Sequence, residues 1–148
     1  MDELKFAVIG NPVSHSLSPD IHLFFASQFQ LERYTYNKIK SNENDFERDI
    51  NDFFKNGGVG LNVTVPFKGL AYNLCDELDQ SAGLCKSVNT VLIDSGKLIG
   101  HSTDGQGLID DFLHKEITLE DSKILIIGAG GSAASIISSL LFHGKIKE

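Results

Sequence analysis

The sequence predicts an α/β protein: a mostly parallel sheet sandwiched by helices, followed by one further strand, turn and helix. Three observations predict it. Apolar runs of strand length alternate with helix-periodic segments in the order β-α-β-α-β over residues 6–65, and short connections between such elements favour parallel strands with helices on the faces. A second pattern, Val88–Ile93 turning at Asp94-Ser95-Gly96-Lys97 into Leu98-Ile99, reads as a hairpin and adds antiparallel character. Last, the branched run Lys123–Ile127, the glycine turn that follows and the apolar spacing of Ile136, Ile137, Leu140 and Leu141 make a separate βα unit.

Each element has its own signal. Phe6–Ile9 is a short buried strand that ends at Gly10-Asn11-Pro12. Ser18 before Pro19 marks a helix start, with Ser18 as N-cap and Ile21, Phe24, Phe25 and Phe29 as its core stripe. Arg33–Lys40 alternates as a second strand, and Phe46, Ile50, Phe53 and Phe54 space a helix that Gly57-Gly58 ends. Val59–Val65 is the third strand, with Leu61, Val63 and Val65 on its apolar face and Asn62 and Thr64 on its polar face. Pro66 lacks a backbone donor and stops that strand. Leu70, Ala71, Leu74, Cys75 and Leu78 continue at helical intervals, and a short helix covers Gln80–Cys85. A helix on Leu108, Ile109, Phe112 and Leu113 follows the loop His101–Gly107.

Composition narrows the functional classes. The 148 residues are 41% hydrophobic and 22% charged, enough apolar material for one core or for one domain and part of another. A net charge of −7 and a pI near 5.1 argue against a nucleic-acid or anionic-membrane surface, which needs clustered Lys and Arg. No apolar run approaches the roughly 20 residues that span a bilayer. Cys75 and Cys85 lack CxxC spacing, and the acidic start Met1-Asp2-Glu3 is unlike a secretory leader, so a cytoplasmic protein with reduced thiols is expected. His15 and His22 have no Cys or carboxylate at metal spacing and read as packing or solvated side chains, with no metal expected.

The chemistry-bearing residues gather at strand ends. Lys68 follows the third strand, and open α/β sheets bind ligands beyond the carboxyl ends of their strands. Ser14 and Ser16 lie in the loop after the first strand, on the same side if the two strands are parallel. For each there is a plainer role: a solvated lysine, or turn-forming hydroxyls. Asp104 is a lone acid among small residues, suited to a site or to capping a helix. Gly128-x-Gly130-x-x-Ala133, between a strand and a helix, has the alanine-ended dinucleotide fingerprint: room for a tight turn, close approach of a pyrophosphate, and close helix packing.

Five motifs, VIGNPVSHSLSPDIH, NVTVPFK, SVNTV, STDGQG and GAGGSA, together resemble the shikimate dehydrogenase family in order and spacing over essentially the whole chain. The resemblance implies a shikimate-binding domain over residues 1–103 and the beginning of a Rossmann NADP(H)-binding domain over 104–148. It implies reduction of 3-dehydroshikimate to shikimate with NADPH, with a quinate/shikimate dehydrogenase relative or a shikimate-binding fragment as alternatives. By matching positions, Ser14 and Ser16 hold the substrate carboxylate, Thr64, Asn89 and Asp104 its hydroxyls, and Lys68 with Asp104 the catalytic pair. Gly128, Ala129, Gly130, Gly131, Ser132 and Ala133 match the phosphate loop. Two departures stand out: Lys86-Ser87 where the family commonly reads Gly-Ala, and Ser102 where it reads Asn. The resemblance also implies further chain: a tyrosine and a glutamine that reach substrate, the rest of the cofactor domain with its residue choosing NADP over NAD, and a helix returning to the substrate domain. With Lys123–Ile127 an uncovered strand, a homodimer is expected.

Overall fold

The structure, a computed structural model, describes residues 3–120 and 122–142. Its centre is a six-stranded sheet of order β2-β1-β3-β5-β6-β4, built from β1 (Leu4–Gly10), β2 (Tyr34–Lys40), β3 (Gly58–Val63), β4 (Glu77–Leu78), β5 (Thr90–Asp94) and β6 (Lys97–His101). Strands β1, β2 and β3 are parallel, β5 runs antiparallel to both its neighbours, and β4 is parallel to β6. One strand of six is therefore reversed. The carboxyl ends of β1, β3 and β6 and the amino end of β5 share one rim, as the pairings Asn62 with Thr90 and Thr90 with His101 require.

Alternation decides which side chains meet which helix. Ala7, Ile9, Leu61, Val63 and Val91 face α2 (Phe46–Lys55), α3 (Lys68–Leu74) and α4 (Gln80–Cys85), whose Phe46, Ile50, Phe54, Ala71 and Ala82 complete the main core. Val8 and Tyr36 point to the other face, where α1 (Ser18–Gln28) lies and His22 stacks on the Tyr36 ring at 4.4 Å. A third cluster, Ile109, Leu119 and Leu140, joins α5 (Asp104–His114) to α6 (Gly131–Phe142).

Four local expectations are corrected. Helix α1 does not bury its aromatic stripe: Ile21, Phe24, Phe25 and Phe29 are exposed and Ala26 alone on the helix is buried, because the helix meets the sheet on the side of His22, whose ring stacks on Tyr36. Leu17, not Ser18, occupies the N-cap position, and the Ser18 N–H is satisfied by Ser16 Oγ at 3.2 Å. Strand β3 stops at Val63, and Val65 is exposed, because Thr64 and Val65 leave the ladder to bond the first connection: Thr64 N–H donates to Ile9 O and Asn11 N–H to Val65 O, both at 3.0 Å. Helix α3 ends at Leu74, so Leu78 belongs to β4; Cys75 is still half-buried, and burial pushes its thiol up to about 11.

The larger correction concerns Lys123–Ile127. These residues join no sheet among the described residues, and Leu125 and Ile127 are 84% and 91% exposed. A strand exists only by pairing, and no described strand lies beside this run to supply the partner groups. The helix after it forms as expected, over Gly131–Phe142. The acidic start at Met1 and Asp2 and the last six residues of the expected second domain lie outside the described residues.

Candidate active site

The rim is assembled by backbone bonds before any side chain chooses a role. Lys68 is the first residue of α3, and its carbonyl accepts from the Val88 N–H at 3.0 Å, which ties the start of that helix to the segment leading into β5. Asn89 follows directly; its carbonyl accepts from Val63 N–H at 2.8 Å and its N–H donates to His101 O at 3.0 Å. Asp104 opens α5, where the positive end of the helix dipole favours an acid. Thr103 holds the N-cap position and no side-chain cap bond is present, so Asp104 is not spent on capping.

The side chains then meet. Lys68 Nζ donates to Asp104 Oδ2, and Asn89 Nδ2 donates to Asp104 Oδ1 at 2.8 Å, so both carboxylate oxygens are held. The side chains of Lys68 and Asp104 are only 14% and 22% exposed. Water competes poorly there, and a charge left without its partner is costly. Asn89 is itself fixed: its Nδ2 also donates to Thr103 Oγ1 at 2.9 Å, and its Oδ1 accepts from Thr103 N–H at 3.1 Å and Thr90 Oγ1 at 3.1 Å. From Thr90 the network continues through Asn62 Nδ2 at 3.2 Å, and Tyr36 OH donates to Asn62 Oδ1 at 2.6 Å. Burial pushes the Tyr36 phenol up to about 12, so it remains a donor throughout the neutral range.

Other expected residues lie along the same edge in different roles. Ser16 Oγ bonds Ser18 Oγ at 3.1 Å as well as the Ser18 N–H, and the Ser14 carbonyl accepts from Lys38 Nζ at 2.6 Å. Their loop is anchored by Asn11, whose Nδ2 donates to Ser41 O at 3.0 Å. Thr64 sits at the end of β3 with its methyl group against Gly10. What unites Ser14, Ser16 and Thr64 with Lys68 is the shared edge of two parallel strands, not a direct bond. Among the described residues no group of His, Cys, Asp and Glu is arranged to hold a metal ion.

The glycine turn borders the pair. Gly128 has φ +126°, which side chains rarely adopt, and α6 begins at Gly131. The first N–H groups of a helix have no intrahelical partner, so the turn presents donors and a positive dipole end to an anion. At Gly130 there is open space where a side chain would stand, and backbone can be approached closely. These features fit the pyrophosphate of a dinucleotide.

Sequence reasoning missed several members of the network. Tyr36, Thr90 and Thr103 read as strand or loop residues, whereas Asn62 was placed on the polar face of its strand, where its amide meets Tyr36 and Thr90. Ser132 matches the phosphate loop by sequence, yet its Oγ also lies 3.1 Å from both Lys68 Nζ and Asp104 Oδ2.

Comparison with known proteins gives this rim a lineage. Residues 8–91 match the family described as the shikimate dehydrogenase substrate binding domain. The chain belongs to the shikimate dehydrogenase family. A shikimate dehydrogenase (NADP(+)) of Acinetobacter baylyi (strain ATCC 33305 / BD413 / ADP1) is 43% identical over 140 residues, covering 95% of this chain and 53% of that protein. The crystal structure of the Thermus thermophilus shikimate 5-dehydrogenase in complex with NADP(H) and shikimate is similar with a TM-score of 0.88 at 32% identity, over 95% of this chain and 53% of that one. A Listeria monocytogenes shikimate 5-dehydrogenase in complex with shikimate and NAD gives a TM-score of 0.85 at 31% identity, over 94% and 48%. This member of the shikimate dehydrogenase family thus spans about half the length of the curated relatives it matches. No described helix is long and apolar enough to cross a membrane.

Proposed function

We propose that these residues belong to an NADPH-dependent shikimate dehydrogenase, which reduces 3-dehydroshikimate to shikimate, and that they supply its substrate site and catalytic pair. The observation that carries this reading is the meeting of Lys68, Asp104 and Asn89 on one rim in a chain whose residues 8–91 match the substrate-binding domain. Bound NADPH would supply the hydride that goes to the ketone carbon. As that carbon is reduced, negative charge grows on its oxygen. Lys68 stabilises this charge and passes a proton to the oxygen, becoming a neutral amine that is reprotonated from solvent. Asp104 and Asn89 hold the ammonium in place and offer polar contacts to the ring hydroxyls, together with Thr64. Ser14 and Ser16 bind the ring carboxylate.

Gly128–Ala133 would hold the cofactor phosphates through the α6 N-terminus. A boundary between 1–103 and 104–148 is supported by the Ile109, Leu119 and Leu140 cluster, which is separate from the two clusters around the sheet. A homodimer is supported by the exposed run at Leu125 and Ile127, and a cytoplasmic location by the two free thiols. Loss of NADPH absorbance on adding 3-dehydroshikimate to the protein tests the reading. Oxidation of quinate as well as shikimate would replace it by the quinate/shikimate dehydrogenase alternative. Titration calorimetry of this chain with shikimate tests the substrate site by itself, and no heat of binding would count against it.

A further inference from the structure

Helix α6 turns one serine-bearing face toward the catalytic pair, and its first turn reaches the pair itself. Ser132 Oγ is 3.1 Å from Lys68 Nζ and 3.1 Å from Asp104 Oδ2. The proton directions are consistent: the ammonium donates to the hydroxyl, and the hydroxyl donates to the carboxylate. One turn along, Ser135 Oγ meets Ser102 Oγ at 2.9 Å and accepts from the Gly105 N–H at 3.0 Å, so it binds the residues on either side of Thr103-Asp104. Ser102 and Ser135 are 4% and 2% exposed, so these bonds form away from competing water. A side chain at Gly105 would stand 2.2 Å from Ser135 O, and one at Gly131 2.4 Å from Ser87 Oγ and 3.4 Å from Lys68 Cβ. Close approach on both sides leaves α6 little freedom to slide, and Ser132 is delivered to the pair by the packing of its helix.

We infer that Ser132 is a positioning residue for the Lys68–Asp104 pair, a role separate from the phosphate loop it sits in, and the inference rests on the catalytic reading of that pair. Two of the three ammonium hydrogens of Lys68 are committed, one to Asp104 and one to Ser132, which fixes the direction of the third. Because Ser132 belongs to the glycine turn, displacement of that turn is felt by the lysine. The side chain of Ser132 is exposed, so its substitution leaves the fold intact.

The test is the rate of reductive methylation of Lys68 by formaldehyde and cyanoborohydride, read by peptide mass spectrometry against the exposed Lys55 in the same chain. Removing the hydroxyl in Ser132→Ala is expected to speed labelling of Lys68 about fivefold relative to Lys55, the scale of one lost hydrogen bond. Ser132→Thr, which keeps the hydroxyl, is expected to match the unmodified chain. Asp104→Asn is the comparator and is expected to speed labelling at least as much. If Asp104→Asn responds and Ser132→Ala does not, the inference fails while the ion pair stands. Equal acceleration in the Ala and Thr variants would mean a loosened turn, which also overturns it. No response in any variant would remove the catalytic pair itself, and the inference with it.

Discussion

At the scale of the residue, Asp104 and Asn89 are held by polar partners, and a buried hydroxyl close by is not. Both oxygens of Asp104 and both ends of the Asn89 amide have partners, so each side chain has one orientation that satisfies it. On the proposed mechanism, removing the amine of Lys68 takes away the proton donor but leaves the contacts proposed for the substrate hydroxyls and carboxylate. Lys68→Met is therefore expected to lower turnover on the order of 10²- to 10⁴-fold with a much smaller change in shikimate affinity, as steady-state kinetics and calorimetry would show. A proportional loss in both would make its role purely one of binding. That buried hydroxyl is Ser87 Oγ, which has no hydrogen-bond partner among the described residues. An orphaned hydroxyl costs its desolvation, so Ser87→Ala is expected to raise the stability by about 1 kcal/mol in a denaturant titration. A fall in stability would mean that the hydroxyl is satisfied in solution. Next to it, Lys86 holds a left-handed backbone, φ 51°, which closes α4. A glycine enters this left-handed conformation without the steric cost that the Lys86 side chain carries.

Among the elements, most of the sheet was legible because strands and helices announce themselves by period. The alternation of β3 and the spacing of Phe46, Ile50 and Phe54 describe faces that the folded chain buries. Where the reading failed, pairing or competition was the cause. Helix α1 is apolar on nearly every side, so periodicity could not say which side meets the sheet, and an alanine and a histidine turned out to be that side. Lys123–Ile127 has strand composition but no described partner, a fact that composition does not contain. The contact of His22 with Tyr36 has a pH consequence. Burial lowers the pKa of His22, so the unfolded chain takes up a proton more readily than the folded one. The contribution of this contact is thus present above a pH of about 6.5 and is lost as pH falls through the lowered folded value. Thermal melts between neutral and mildly acidic pH should show a declining midpoint, with a smaller decline in His22→Phe. An identical decline in both would assign the effect to other groups.

For the whole molecule, the edge that carries the candidate site could be anticipated in outline but not in membership. Lys68 was singled out because it follows a strand end, and Asn89 and Asp104 because they match family motifs, and the three side chains meet in the folded chain; Tyr36 and Thr90 escaped because a network across three strands has no linear signature. The exposed apolar run that includes Leu125 and Ile127 bears on assembly. Sedimentation of this chain is expected to show a dimer at micromolar concentration, and Ile127→Asp is expected to shift it toward monomer. A monomer at all concentrations would put the interface elsewhere or nowhere. The reversed strand β5 has a practical corollary. Since its amino end lies on the rim that holds Lys68 and Asp104, the Ser95-Gly96 turn that ends it lies at the opposite pole of the sheet, with φ of 50° and 80° and open space at Gly96. That tip is a natural port for a fluorescent tag or an epitope: chain spliced in there is expected to leave the heat of shikimate binding as it was, giving a handle on the protein that the chemistry never feels.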